Sequence, residues 1–456
     1  MAITAGGIGS GLDIDGLVRQ LVASERQPAS QRLDRKEAGL LGNLSAYGTL
    51  KSALSTFQTA VKGLQNPDIF QARRTSSTNT DLFTGTATKD AVAGTYSINV
   101  QQLAQAAKMR SDAFDPSENI GTGSMTLSLG NDSFTLDIDS ENNTLEGIRD
   151  AINAASNNPG ITASIISAGA GDSRLVLTSN RVGEGNDISI TAIDDDVPGG
   201  GLEMFNTLNT VQAAQDAIVF VDGLEIRRDR NTVSDVIQGV TLNLRKADEN
   251  VTGTLTVTLD TASVKTRVET FVSAYNELVG VMNQLSAFNA DTGDAGPLLG
   301  DSALRGVQSQ IRQTLSGSVG DDAFSTLAEI GVTTNSSGQL TINTQKLDEV
   351  IAQDFSAIAN LFASENGLTK RLDGILDRYV ASDGILSSRT NGIQSRIGQI
   401  DNERDRLDTR MQALESRYRA QFTAMDILVG QLQGLSGYLE QQLANLPQPN
   451  SIGRRR

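Results

Sequence analysis

The sequence of 456 residues contains no cysteine, no histidine and no tryptophan. Without cysteine there is no disulfide, thiolate nucleophile or iron–sulfur ligand. Without histidine there is no Ser-His-Asp triad, histidine-ligated zinc or imidazole base. Only carboxylate, lysine and tyrosine chemistry is left for an enzyme, and a carbohydrate cleft would lack tryptophan walls. These absences weigh against most enzyme classes.

Apolar and cationic residues are also scarce. Hydrophobic residues make up 38% of the chain and aromatics 4%, which favours several small or elongated units over one large core. A net charge of −16 argues against nucleic acid or an anionic membrane as the main partner. No apolar run approaches the length of a membrane span, so no membrane insertion is expected. The first basic residue is Arg19, so a cleaved signal peptide is not predicted, and this alone would indicate the cytoplasm.

The segment "GGIGSGLD" at residues 6–13 has the appearance of a phosphate-binding glycine loop. A dinucleotide fingerprint would need a glycine where Leu12 stands, and a preceding strand for which there is no room. We interpret the segment as a bendable lead into an amphipathic helix that Asp13 or Asp15 caps. The apolar face of that helix is expected to consist of Ile14, Leu17, Val18 and Leu21.

The texture of the sequence changes twice along the chain. Residues 13–64 have helical periodicity, with hinges and an end or kink at Pro28. Residues 70–260 alternate as strands do, and residues 124–193 are predicted to form a small ββαβββ domain with a helix capped by Thr144. After residue 262 the chain is helical again, around one short hairpin. Helices are predicted near 302–316, 344–362 and 368–380.

Two long apolar stripes in the second helical part have the spacing of coiled-coil seams. Arg404 interrupts the second stripe, as a residue that fixes register does. The first seam consists of Val264, Val268, Phe271, Tyr275, Leu278, Met282 and Leu285. The second consists of Ile393, Ile397, Ile400, Leu407, Met411 and Leu414, and continues through Tyr418, Phe422, Met425, Val429 and Leu432.

These patterns predict a multidomain α+β protein in which helices from both chain ends form a coiled-coil or bundle stalk with inserted β-rich head domains. The expected domains are terminal helices or legs (1–38 with 420–456), a helical bundle (39–70 with 262–419), a β-rich head (71–112 with 214–261) and an inserted α+β head (113–213). No cofactor, catalytic or metal site is predicted: the cluster Asp194–Asp196 lacks EF-hand spacing and is interpreted as a solvated loop.

Three segments resemble the flagellar hook-associated protein 2 family, the caps of bacterial flagellar filaments. "IGSGLDIDGLVRQLVASERQP" is similar to the N-terminal signature of the family. "NNTLEGIRDAINAASNNPGITASII" and the strands after it look like the inserted hook repeat. "DAIVFVDGLEIRRDRNTVSDVIQGVTLNLRKA" with "VKTRVETFVSAYNELV" is similar to the C-terminal region. The resemblance covers nearly the whole chain, in the expected order.

The resemblance implies a non-enzymatic cap that retains exported flagellin and guides its polymerisation at the filament tip. Its implied partners are flagellin, further copies of itself in a ring (a pentamer, with a tetramer or hexamer as alternatives), the hook-associated junction proteins and a type III export chaperone. The chain would be extracellular, exported by the flagellar type III pathway without a cleaved signal, which replaces the cytoplasmic interpretation. Candidate contacts to the filament or to other subunits are Ile8, Gly9, Ser10, Gly11, Leu12, Asp13, Leu17 and Leu21.

Alternatives stay open at this stage. The β head could make the chain a flagellar adhesin for host mucin or glycan, a role compatible with the cap. Two further hypotheses with less support are a carbohydrate-active enzyme and another axial component of the flagellum. Because glycines and prolines interrupt both chain ends, residues 1–38 and 440–456 are expected to be mobile alone and to order against flagellin.

Overall fold

The computed structural model describes residues 11–116, 118–169, 171–195, 201–320 and 323–444. The chain forms two compact units. One, the helical unit, is built from Met1–Asn66 and Lys265–Arg456. The other, the β-rich unit, is Pro67–Val264, so it is inserted between the two halves of the first. The predicted α+β multidomain class is confirmed.

The helices are α1 (Ile14–Lys62), α2 (Leu145–Ala154), α3 (Thr261–Leu285), α4 (Ser302–Ser316), α5 (Thr344–Gln353), α6 (Phe355–Ala363), α7 (Leu368–Val380) and α8 (Ile385–Ala444). The strands of the β-rich unit are β1 (Arg73–Ser77), β2 (Phe83–Ala87), β3 (Gly94–Gln102), β4 (Ala106–Arg110), β5 (Gly123–Leu129), β6 (Asp132–Ile138), β7 (Ile161–Gly169), β8 (Asp172–Val182), β9 (Ile188–Asp194), β10 (Asn209–Gln212), β11 (Ala217–Val221), β12 (Leu224–Arg228), β13 (Thr232–Ile237), β14 (Val240–Leu244) and β15 (Thr252–Leu259). A hairpin of β16 (Val332–Thr334) and β17 (Leu340–Ile342) belongs to the helical unit.

Helix α1 is continuous from Ile14 to Lys62, so of the two predicted effects of Pro28, an end or a kink, the end is wrong. Asp13 is its N-cap, and one carboxylate oxygen accepts a hydrogen bond from the Gly16 amide at 2.9 Å. A proline inside a helix costs about 3 kcal/mol because one backbone hydrogen bond is lost. Ion pairs with α8 lie before Pro28, at Asp15 and Arg26, and after it, at Asp34 and Lys36. Together with the buried apolar side chains of α1 they offset that cost and keep residues 14–38 in the same helix as 39–62.

The packed part of the helical unit surrounds the C-terminal half of α1, which packs against α7 and α8. The ring centroids of Phe57 and Phe271 lie 5.4 Å apart, and those of Phe271 and Phe362 6.2 Å apart, which joins α1, α3 and α6 in one core. The predicted single helix at 344–362 is two helices. Asp354 ends α5 and caps α6, because its carboxylate accepts from the Ala357 amide at 3.0 Å.

The β-rich unit has two cores. The first lies between a five-stranded sheet (β1-β15-β3-β11-β12) and a three-stranded sheet (β13-β14-β2). The second is enclosed by a four-stranded sheet (β10-β4-β8-β7), a three-stranded sheet (β6-β5-β9) and α2, which confirms the predicted ββαβββ arrangement. Thr144 caps α2 as expected. Strand β4 lies in the range assigned to the first head domain (71–112), but it pairs with β8 in the second core.

Candidate interaction surfaces

The N-terminal contact candidates that the structure describes are exposed at the start of α1. Ile8, Gly9 and Ser10 lie outside the described residues, and Gly11 has a φ of +73°, which suits a turn into the helix. Leu12, Leu17 and Leu21 are exposed. Ile14 and Val18, which the sequence placed on the same face, are buried. The first turns of α1 therefore present one covered apolar stripe and a second that faces solvent.

Helices α1 and α8 pair in an antiparallel arrangement that a series of ion pairs aligns. Asp15 contacts Arg419, and Arg26 Nη2 lies 2.6 Å from Asp408 Oδ1. Further along α1, Lys36 Nζ lies 3.4 Å from Glu403 Oε1. Partner numbers on α8 fall as those on α1 rise, which defines the direction of the pairing. The sequence pattern did not identify these pairs, because each joins residues that lie more than 360 positions apart in the chain.

Arg404 sits on the seam between the two helices, as the sequence predicted. One guanidinium nitrogen lies 2.6 Å from Asp34 Oδ1 and 2.6 Å from Glu37 Oε2, both on α1. The hydrogen bond to Glu37, and then that to Asp34, raise the pKa of Arg404 above its ordinary value. A cation with two carboxylates on the partner helix is suited to fixing register, because a shift of one helix turn separates the three groups.

The α8 seam is covered over only part of its length. Ile393, Ile400, Leu407 and Met411 are buried, and Ile397 and Leu414 are half-buried. In the rest of the predicted stripe, Tyr418, Phe422 and Val429 are half-buried, Met425 is exposed and Leu432 is more than half exposed. Leu428, Leu435 and Leu439, which the prediction did not include, are also more than half exposed. We call residues 425–443 the α8 tail. Apolar residues at this spacing thus continue along α8 beyond Leu432, the last predicted seam residue. The ion pairs with α1 end earlier, at Arg419.

The α3 seam has a different environment. All seven predicted residues, from Val264 to Leu285, are buried. Val272, Ala274 and Val279 are buried as well, so the covered stripe is wider than a two-helix coiled-coil seam. Tyr275 donates a hydrogen bond from its hydroxyl to the Gly338 carbonyl at 3.0 Å, which ties the helix to the β16–β17 turn. This part of the seam contributes to a globular core.

A polar pair of buried Tyr47 and half-buried Asp301 links α1 to the start of α4 in the packed part. The Tyr47 hydroxyl donates to Asp301 Oδ2 at 2.6 Å, while Asp301 Oδ1 accepts from the Ala303 and Leu304 amides as the cap of α4. Burial, and then the hydrogen bond to Asp301, raise the pKa of Tyr47 to about 12. The helical periodicity of residues 13–64 does not reveal this role of Tyr47, which depends on a residue more than 250 positions away.

The described residues contain no cluster of three or more acidic side chains able to hold a metal ion. Asp196, the last residue of the candidate calcium cluster, lies outside them. A depression of about 840 Å³ between α4 and the β16–β17 turn is lined by arginine, glutamine, serine and asparagine side chains, without a carboxylate. No helix in the described part of the chain is long and apolar enough to cross a membrane.

Comparison with protein families matches three parts of the chain. Residues 10–107 match the N-terminal domain of flagellar hook-associated protein 2, and residues 214–434 match its C-terminal domain. Residues 124–181 match the flagellin hook IN motif, which here corresponds to β5, β6, α2, β7 and most of β8.

Full-length relatives decide the assignment. The A-type flagellar hook-associated protein 2 of Pseudomonas aeruginosa is 36% identical over 97% of this chain and 98% of its own length. The chain belongs to the flagellar hook-associated protein 2 family. A second member, from Escherichia coli K12, is 35% identical over 97% of this chain and 98% of its own.

A solved structure of a family member has the same fold. The D1–D2–D3 domains of the flagellar cap protein FliD from Escherichia coli match with a TM-score of 0.62 and 36% identity, over 76% of this chain and all but 1% of that one. The family resemblance seen in the sequence is thereby confirmed. The relatives are hook-associated and cap proteins by name, and the adhesin alternative receives no support from them.

Proposed function

We propose that this chain is a non-enzymatic cap at the distal end of the bacterial flagellar filament, where it retains exported flagellin and promotes its polymerisation. Membership of the hook-associated protein 2 family supports this role. The chain would reach the tip through the flagellar type III pathway, with an export chaperone, and would meet the hook-associated junction proteins there. As a cap it would act as a closed ring, with five copies as the first expectation and four or six as alternatives.

The single structural observation that best fits this role is the incomplete cover of α8. A cap must stay attached while each new subunit enters beneath it, so its contacts have to break and re-form. The α8 tail is a helix with an apolar stripe that α1 leaves uncovered, and Leu17 and Leu21 on α1 face solvent next to the start of the pairing. Exposed apolar stripes of this kind mark protein interaction sites.

We assign the legs of the cap to residues 1–38 and 420–456, the bundle to 39–70 and 262–419, and the heads to 71–112 with 214–261 and to 113–213. Within this division, β4 joins the second head through its pairing with β8. In this division the legs contact flagellin through Gly11, Leu12, Asp13, Leu17 and Leu21, with Ile8, Gly9 and Ser10 as further candidates. Removal of residues 1–38 would also strip α1 from buried Leu407 and Met411, so a change in α8 tests the legs more cleanly.

The test is deletion of the gene, followed by complementation with two forms of the chain. Cells without the gene are expected to carry hooks without filaments and to shed flagellin into the medium. The full chain should restore filaments. A chain ending at Arg419 should fold, because the residues beyond have few covered apolar side chains, yet fail to restore them.

Electron microscopy gives filament length, and an immunoblot of the medium gives shed flagellin. Filaments of normal length without the gene would contradict the cap role itself. Normal filaments with the shortened chain would contradict only the assignment of the C-terminal leg. Circular dichroism of the purified shortened chain separates loss of docking from loss of folding.

A further inference from the structure

The two flanks of the α1–α8 pair differ in charge pairing. On one flank, arginines meet carboxylates: Arg26 with Asp408, and Arg419 with both Asp15 and Glu415. On the other flank, four arginines form no ion pair with any described residue, and we call these the groove arginines. They are Arg32, Arg406, Arg410 and Arg417.

The groove arginines border two adjoining hollows, of about 590 and 200 Å³, which we call the α1–α8 groove. Its floor is apolar and comes from the α8 seam, where α1 opposes it with the small side chain of Ala29. The floor residues are Leu407, Met411, Leu414 and Tyr418. Two carboxylates border it, Glu25 and Glu403, and Glu403 already binds Lys36. The groove therefore combines an apolar floor with an excess of positive charge in a chain of net charge −16.

The α8 tail has the complementary properties. Its stripe, from Met425 through Leu428, Leu432 and Leu435 to Leu439, keeps the 3-4 spacing of the covered seam and is exposed. Residues 420–444 include no lysine or arginine, so nothing in this segment is repelled by the groove arginines. The stripe is about 21 Å long at 1.5 Å per residue, and the α8 side of the groove, residues 403–418, is about 22 Å long. Length, apolar character and charge all match.

The tail of one chain cannot enter its own groove. Arg410 and Leu435 belong to the same continuous helix, and 25 residues of helix separate them by about 37 Å. We propose that the α8 tail of one copy of the chain docks in the α1–α8 groove of a second copy. The contact is heterologous, because the two surfaces differ and each copy offers both.

A heterologous contact repeats from copy to copy until it closes. The inference rests on the proposed cap only for that closure into a ring, since docking itself needs only a second copy. Within the cap, the groove of a neighbour gives the tail an apolar partner before flagellin competes for the same stripe. The tail would then pass from the groove of a neighbouring copy to flagellin, and its apolar stripe would stay out of water.

Because the chain contains no cysteine, single engineered thiols report this contact without a background. We would prepare Arg410→Cys and Leu435→Cys as separate full-length variants, mix them and treat the mixture with a short bismaleimide. The expected product is a covalent heterodimer of the two variants, identified by peptide mass spectrometry. Thr409→Cys is the matched control: it is the exposed neighbour of Arg410, is absent from the groove lining and should not cross-link to Leu435→Cys.

A second measurement uses association in solution. Leu435→Lys should weaken self-association by about tenfold or more, since a cation then enters the stripe that docks against the groove arginines, and it should leave the melting temperature of the monomer unchanged. Arg410→Glu should weaken it in the same direction. Sedimentation velocity over a range of concentrations gives both values.

The outcomes separate the inference from the cap role. A Leu435–Leu435 homodimer in place of the heterodimer would show that tails pair with each other and would overturn the inference. Rings seen by native mass spectrometry, without any Arg410–Leu435 cross-link, would also overturn it and leave the proposed cap intact. If cells with the Arg410–Leu435 cross-link still assemble filaments, the contact between copies stands, but the tail does not need to leave the groove for flagellin.

Discussion

Helix α3 and the α8 tail carry the same kind of apolar spacing but have opposite environments. Every seam residue of α3 is buried, whereas Leu428, Leu432, Leu435 and Leu439 in the tail are more than half exposed. The difference lies in the neighbours. Phe271 on α3 contacts Phe57 from α1 and Phe362 from α6, while the pairing of α8 with α1 ends near Arg419 and Asp15. Periodicity fixes which face of a helix is apolar but not whether anything covers it.

That contrast has an energetic meaning. Apolar surface stabilises a fold by roughly 25 cal/mol for each Å² removed from water, so a stripe contributes only where a partner removes it. The stripe on α3 therefore stabilises the helical unit, and the stripe on the tail is reserved for association. Replacing a leucine by aspartate should therefore lower the stability of the fold on α3 and leave it nearly unchanged on the tail.

The largest expected effect is that of Leu278→Asp, because Leu278 is 1% exposed in the packed part of the helical unit. An unpaired carboxylate there costs several kcal/mol, or forces local unfolding. The matched control is Leu428→Asp on the tail, which should leave the melting temperature within about 1 °C. Thermal unfolding followed by circular dichroism measures both. Equal loss of stability in the two variants, at a concentration where the chain is monomeric, would show that the single chain covers its own tail and would remove the contrast.

Much of this organisation follows from the sequence. Periodicity identified the helical segments that contain α1, α3 and α8, and the ββαβββ domain with Thr144 as its helix cap was also predicted. These features depend on residues within a few turns or strands of one another. The family resemblance supplied the functional expectation, which no local pattern contains.

The remaining features depend on distant partners, and the sequence could not supply them. Pro28 stays inside α1 because α8 supports the helix on both sides of it, and this support cannot be read from local propensity. Tyr47 finds Asp301 only once α4 has packed against the bundle. The uncovered length of α8 also depends on a distant residue, because α1 begins at Ile14, beside Arg419, and leaves the rest of α8 without a partner helix.

An effect of intermediate size is expected at the Tyr47–Asp301 pair, a polar contact inside the packed part. Tyr47→Phe should cost about 1–2 kcal/mol at pH 7, because Asp301 loses one hydrogen bond and keeps its two backbone donors. The pKa of Tyr47 is raised from 10.0 to about 12, so the folded chain keeps this proton more tightly than the unfolded chain. The resulting stabilisation is complete below pH 10 and is lost as the pH rises through 12.

Denaturant unfolding at several pH values tests this linkage. Between pH 10 and 12 the unmodified chain should lose about 2 kcal/mol more stability than Tyr47→Phe, because only it retains the shifted proton. Tyr275→Phe provides a control for tyrosines in general, since the pKa of Tyr275 is raised by burial and not by a carboxylate partner. If the free energy of unfolding changes with pH equally in Tyr47→Phe and in the unmodified chain, the Tyr47 hydroxyl does not form the pair with Asp301.

The smallest expected effect concerns the two flanks of the α1–α8 pair. Arg26 and Asp408 form an ion pair at 2.6 Å, but both side chains are about half exposed, at 52% and 47%. Exposed pairs of this kind contribute about 0.2–1 kcal/mol and are screened by salt. A double-mutant cycle with Arg26→Ala and Asp408→Ala should therefore give a coupling energy below about 1 kcal/mol that falls toward zero in 1 M salt.

Arg410→Ala, on the groove flank, should leave unfolding unchanged and alter only association, since Arg410 has no ion-pair partner among the described residues. A loss of unfolding stability in Arg410→Ala as large as that in Arg26→Ala would mean that the groove arginines stabilise the single chain and are not held free for a partner.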